Sequence, residues 1–196
     1  MSDRLLAAKR QLREALAERR RRVPPDRAAR AGEAVRAILA SWERFLRAPR
    51  VALYAALPDE LPSRPCFEEV VASGRPALLP RIEPDGRLGF RVVSRWDELR
   101  VGRYGVLTPT RDAEPAALTA EDLVLVPGVG FDRQGMRLGR GGGYYDRTFA
   151  ARSGAPLLCG LAYAFQLVAA VPHDSRDQPM DAIVTDRELH EVEDGS

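Results

Sequence analysis

Two periodicities divide this chain, a helical one at the start and short apolar runs afterwards. From Ser2 to Arg22 there is neither Gly nor Pro, and Ala, Leu, Arg and Glu dominate, so a long helix is predicted, closed by Pro24-Pro25. Asp26 then caps a second predicted helix running to about Leu46, which Pro49 ends. Val51-Ala52-Leu53-Tyr54, bounded by Pro49 and Pro58, reads as a buried strand. A helix near Cys66 to Ser73 and a strand at Ala77 to Leu79 complete a strand-helix-strand unit of the kind found in parallel sheets. Glu83-Pro84-Asp85-Gly86 predicts a hairpin turn into an antiparallel strand, Leu88 to Val92, so the sheet is expected to be mixed. Leu123 to Val126 is the expected central strand, apolar throughout because helices would cover both faces. A glycine-rich loop, a helix from about Gly142 to Arg152, a strand at Leu157 to Ala162 and a last strand at Ala182 to Val184 follow, and the order of elements gives an α/β fold.

The length of 196 residues suits one domain, 1–196, with residues 1–47 a helical segment packing on it. No apolar run approaches the ~18 residues of a membrane span and the N-terminus lacks a signal-like apolar region, so a cytoplasmic protein is expected, with no membrane partner. Cys66 and Cys159 lie far apart in apolar surroundings, which reads as two buried free thiols. With 30 basic and 28 acidic residues no global field draws nucleic acid. Lys9 is the only lysine and asparagine is absent, a skew that says nothing about function.

Chemistry concentrates in Gly139-Arg140-Gly141-Gly142-Gly143-Tyr144-Tyr145-Asp146-Arg147, between a central strand and a helix. Consecutive glycines let backbone amides turn toward an oxyanion, and a helix N-terminus adds positive partial charge, so phosphate is the natural guest; a flexible surface turn is the plain alternative. The block is not a Walker A loop, and Gly128-x-Gly130 lacks the third glycine of a dinucleotide fingerprint. Asp146 suits the first turn of the helix on dipole grounds alone, or a Mg²⁺ beside phosphates. On the first helix Leu5, Leu12 and Leu16 form a stripe, with Lys9 and Arg13 on or beside it; the two cations repel unless an anion sits between them or both snorkel to water. Arg19 to Arg22 reads as a solvated helix end. His173 and His190 have no nucleophile partner, and Asp181, before the last strand, is either a turn residue or a carboxylate facing a site.

Taken together, Leu125-Val126-Pro127-Gly128-Val129-Gly130-Phe131-Asp132 and Arg137 to Arg147 resemble the 5-formyltetrahydrofolate cyclo-ligase family. Lys9-x-x-x-Arg13 resembles its N-terminal nucleotide motif, Tyr54 to Glu60 its folate-side loop, and Pro179-Met180-Asp181-Ala182-Ile183-Val184-Thr185 its C-terminal signature. The resemblance implies a three-layer α/β/α sandwich like the ribose-5-phosphate isomerase and CoA-transferase superfamily, monomeric, using ATP and Mg²⁺ to cyclise 5-formyltetrahydrofolate to 5,10-methenyltetrahydrofolate with release of ADP and phosphate. It implies that Lys9, Arg10, Gln11, Leu12 and Arg13, together with Arg137, Leu138, Gly139, Arg140, Gly141, Gly142, Gly143, Tyr144, Tyr145 and Asp146, hold ATP. Tyr54, Glu60, Gly141, Gly143 and Tyr145 would bind the folate, Arg140 and Tyr145 would be catalytic, and Asp146 and Asp181 would face Mg²⁺. The sequence departs from the family at Asp174-Ser175-Arg176-Asp177, where Glu-x-His-Asp is expected, and at Thr108-Pro109, where Glu-Pro is expected. Alternatives are a relative on the same fold without ATP chemistry, or a folate-, nucleotide- or RNA-binding module.

Overall fold

The computed structural model describes residues 2–150 and 154–193. Five α-helices occur among them: α1 (Asp3–Arg21), α2 (Pro25–Leu39), α3 (Glu43–Arg47), α4 (Arg64–Ala72) and α5 (Tyr144–Thr148). The strands in chain order are β1 (Val51–Ala52), β2 (Ala77–Ile82), β3 (Leu88–Val93), β4 (Arg100–Val101), β5 (Leu107–Thr108), β6 (Pro115–Ala116) and β7 (Leu123–Pro127). After them come β8 (Gly130–Asp132), β9 (Arg137–Leu138), β10 (Leu157–Ala162), β11 (Leu167–Val168), β12 (Ala182–Thr185) and β13 (Leu189–Glu191).

Eight strands form one mixed sheet in the order β13-β12-β10-β7-β1-β2-β3-β6. Its centre, β12-β10-β7-β1-β2, is parallel, with antiparallel strands at both sides. The α/β expectation and the central place of Leu123–Pro127 hold. Side chains alternate along the central strands: Leu123, Leu125, Cys159 and Leu161 face a core shared with α2, α3 and α4. Val124, Val126, Leu158 and Ala162 face a second core, capped by Phe131 and by Phe149 at the end of α5. The continuous apolar pattern of β7 therefore reflects cover on both faces, although only a five-residue helix contributes on the second.

Several boundaries differ from expectation. The second helix starts at Pro25, with Pro24 as its cap and Asp26 in the first turn, because Pro suits the first helical position. It stops at Leu39 and resumes at Glu43, where the break lets Trp42 and Phe45 both enter the core. The strand at Val51 spans two residues, not four: the Leu53 amide still bonds to the Leu78 carbonyl, and the chain then leaves β2 for the loop that carries Asp59 and Glu60. The helix predicted to Arg152 ends at Thr148, and positions 151 and 152 lie outside the described residues. Ala182–Thr185 is followed by a further edge strand, β13.

A separate three-stranded sheet, β11-β8-β9, packs against α1. Leu16 of α1 meets Val129, Leu138 and Val171 there, which fixes the helix beside the glycine loop. Among the described residues no helix is long and apolar enough to cross a membrane.

Candidate functional site

The site lies where the C-terminal ends of β1 and β7 meet the glycine loop and α1. Leu138 is buried against Leu16, and the loop that follows turns through left-handed backbone at Gly141 (φ 101°) and Gly143 (φ 65°), conformations that favour glycine. Gly143 is also the cap of α5 and makes no side-chain capping bond. A helix this short has little dipole, so the positive potential here comes from side-chain cations and loop amides.

Those cations are assembled from three segments. Lys9 is only 6% exposed and donates to Asp177 Oδ2 at 2.5 Å. Arg13 donates from Nε to the Gly139 carbonyl at 2.8 Å. The two therefore do not snorkel; both turn inward, onto different acceptors, while Arg10 and Gln11 face solvent and Leu12 packs beside Leu16. Arg137, 7% exposed, donates to Asp146 Oδ1 at 2.9 Å and to the Pro127 carbonyl at 3.3 Å, and its guanidinium lies 5.3 Å from the Tyr145 ring centre. Arg140 spans the loop that carries Asp59 and Glu60, donating from Nε to Glu60 Oε1 at 2.9 Å and from a terminal nitrogen to Asp59 Oδ1 at 2.6 Å.

Glu60 is tied on its other oxygen by the Leu57 amide at 3.0 Å. Two tyrosines brace its loop from below: Tyr54 donates to the Leu61 carbonyl and Tyr163 to the Glu60 carbonyl. Tyr54 is buried, and that burial, with Glu60 nearby, pushes its phenol well above the ordinary value. Burial likewise raises the Tyr145 phenol far above its ordinary value, against the opposing pull of Arg137, so Tyr145 keeps its proton. Tyr144 faces the β4-β5 hairpin, where the exposed Tyr104 holds left-handed backbone (φ 58°) and its hydroxyl sits 3.3 Å from that of Tyr144. That hydrogen bond, then burial, raises the Tyr144 phenol.

The structure thus brings together Lys9, Arg13, Glu60 and the whole run from Arg137 to Asp146. Asp181 lies just before β12, three residues beyond Gln178. The Asp181 carboxylate accepts the Leu158 amide at 2.7 Å, low on β10, whereas Pro127, which takes Arg137, lies opposite Leu161. Three residues of strand separate those levels, about 10 Å. Asp177 is a further acidic group beside the cations, with its neighbour Gln178 presenting an amide to Asp146 Oδ1 at 3.5 Å.

Sequence reasoning also missed Arg20. The expected solvated run Arg19 to Arg22 splits: Arg21 and Arg22 pair with Glu18 at the surface, but Arg20 is 2% exposed and reaches Asp59 at 2.5 Å and the Gly128 carbonyl at 3.2 Å. The signal was present, since Lys9, Arg13, Leu16 and Arg20 recur at intervals of four, three and four on one helical face. Gly128-x-Gly130 has a packing explanation, because a Cβ at Gly130 would stand 2.6 Å from Leu16 and one at Gly128 would stand 2.4 Å from Phe131.

Two open clefts lie elsewhere, of about 340 Å³ beside Leu99 and Thr110 and about 520 Å³ beside Arg133 and Leu167, and none of the grouped residues lines either.

Comparison with known proteins gives a consistent set of similarities. Residues 6–186 match the model of the 5-formyltetrahydrofolate cyclo-ligase family. The chain is 30% identical over 180 residues to a 5-formyltetrahydrofolate cyclo-ligase of Escherichia coli, covering 89% of this chain and 98% of that protein. It is 31% identical over 186 residues to one of Mycolicibacterium smegmatis, covering 91% and 93%. A solved 5,10-methenyltetrahydrofolate synthetase of Aquifex aeolicus superimposes with a TM-score of 0.81 at 33% identity, over 96% of this chain and 94% of that one.

Proposed function

The chain belongs to the 5-formyltetrahydrofolate cyclo-ligase family, and on that premise we propose how its site converts 5-formyltetrahydrofolate to 5,10-methenyltetrahydrofolate with ATP. The observation that supports the assignment of residues is the gathering of Arg13, Arg137 and Arg140 at one glycine loop, with Lys9 held by the neighbouring Asp177 and Glu60 bonded to Arg140.

A formamide oxygen is a poor leaving group. Transfer of the ATP γ-phosphoryl group onto it turns it into phosphate and releases ADP. The N10 amine then attacks the formyl carbon, phosphate departs with the former formyl oxygen, and N10 loses its proton as the methenyl bridge forms. Such a transfer needs alignment and charge neutralisation more than a protein nucleophile. Lys9 and Arg13 grip phosphate oxygens, the loop amides at Gly139 to Gly143 surround them, and Arg137 backs the loop. Arg140 meets the charge that grows on the transferred group, and Glu60 accepts hydrogen bonds from the pterin. Tyr145, protonated at any working pH, donates a hydrogen bond to the reacting oxygens.

The residues present fit a Mg²⁺ of the kind held chiefly by phosphates. No group of three or more metal-binding side chains exists among the described residues, but Mg²⁺ typically takes one or two carboxylates with substrate phosphates and water. Asp146, and Asp177 across the Gln178 amide, are the carboxylates on the phosphate side. When bound, the ion would neutralise charge on the β- and γ-phosphates.

The oxygen itself tests the route. With substrate carrying ¹⁸O in the formyl group, the label should appear in the released phosphate; label retained in a folate product, or lost to water, would contradict phosphorylation of the formyl oxygen.

A further inference from the structure

Arg20 has no place in the chemistry just described, yet it is the most enclosed charge around the site. It is 2% exposed, and its Nε has no partner. Burying an arginine is costly unless its partners compensate, and well-packed apolar residues commonly replace a buried ion pair without loss of stability. What distinguishes Arg20 is what it holds. One nitrogen is fixed by the Gly128 carbonyl, itself pinned at 2.9 Å by Gln166, and the other grips Asp59 Oδ2. The second oxygen of Asp59 holds Arg140.

We propose that Asp59, anchored by Arg20, is the positioning residue that aims Arg140 at the transferred phosphoryl group. Arg140 is shared between Asp59 and Glu60. When Glu60 turns to the folate, Arg140 loses that partner but keeps Asp59, so arrival of one substrate frees the guanidinium for the other without letting it wander. The inference rests on Arg140 meeting the phosphoryl group, as read above.

The test is the Asp59→Asn enzyme, alone and in an Arg140→Lys background, with rates taken from methenyl absorbance. Since about 1 Å of misplacement can cost about 100-fold, Asp59→Asn should lower kcat about 10- to 100-fold and leave the ATP KM within about twofold. In the Arg140→Lys background it should add almost nothing, as residues acting through one another are not additive. Arg20→Met should reproduce the same split if it folds, and Asp59→Asn decides the matter if it does not. A kcat within about twofold of wild type, a loss confined to ATP KM, or an undiminished further loss on top of Arg140→Lys would overturn the proposal. Absence of turnover in the wild-type enzyme would instead overturn the underlying functional reading.

Discussion

Replacing Lys9 by Met tests the part in nucleotide binding proposed for the N-terminal helix. Lys9 is 6% exposed and its ammonium bonds to Asp177 Oδ2, so its position is set by the protein before any ligand arrives. Met conserves most of the stem volume and removes only the charge. Asp177 loses one partner but keeps the Asp174 amide at 2.8 Å and some solvent, its side chain being 18% exposed, which places the stability cost near the low end for a lost charged bond, about 1–2 kcal/mol. A charge-assisted bond to a phosphate oxygen contributes about 1.5–3 kcal/mol. At 1.4 kcal/mol per tenfold, the ATP KM should rise about 10- to 100-fold. In the proposed role the ammonium grips phosphate in ground and transition states alike, so kcat should change much less. The assay follows methenyl absorbance against ATP concentration at saturating folate. An ATP KM within about twofold of wild type would refute the reasoning and make Lys9 a purely structural partner of Asp177.

Three further outcomes follow from other parts of the molecule. Burial pushes the Cys66 thiol up to about 12 and raises Cys159 as well, so at pH 8 about one Cys66 in 10⁴ is thiolate. A thiol reagent should label neither cysteine until denaturant is added, and rapid native labelling would contradict the packing. Gly160→Ala would put a methyl 2.4 Å from the fully buried Phe131 ring, an overpacking of about 1–3 kcal/mol that should lower Tm by about 2–4 °C per kcal/mol; an unchanged Tm would mean that Phe131 can move aside. Burial raises the Asp59 carboxyl but Arg20 and Arg140 outweigh it, leaving it below the ordinary value. With the folded value below the unfolded one, about 3.9, its contribution is present above that pH and is lost as pH falls through the folded value. Between pH 5 and pH 3, denaturant stability of Asp59→Asn should therefore fall less steeply than that of wild type, and equal slopes would count against the pairing.

The long elements were legible because their signals are local. The Gly- and Pro-free run gave α1 to within a residue or two, and the four apolar residues of β7 marked the centre of the sheet. What escaped depends on tertiary contacts. The break at Trp42 leaves no local mark, because it arises from two large side chains sharing one core. β8, β9 and β11 are two or three residues each, too short to show alternation, and exist because α1 covers them. The site was partly readable: the glycine loop and the Lys9-Arg13 spacing announce an anion, and the family resemblance supplies Glu60. Asp59 and Arg20 were not read, since a cation run at a helix end looks the same whether its members face water or a carboxylate 39 residues away. For Asp181, the acceptor role of one carboxylate oxygen toward the Leu158 amide is invisible without the sheet register.

The central claim is that this cationic glycine-loop site joins ATP to the cyclisation of 5-formyltetrahydrofolate. The most direct measurement mixes purified protein with 5-formyltetrahydrofolate and MgATP and follows the methenyl chromophore, with parallel reactions lacking ATP. Product that forms with ATP, is absent without it, and matches the ADP released one for one is the predicted result. Folded protein that binds ATP yet forms no methenyl product, or forms it equally well without ATP, would contradict the account.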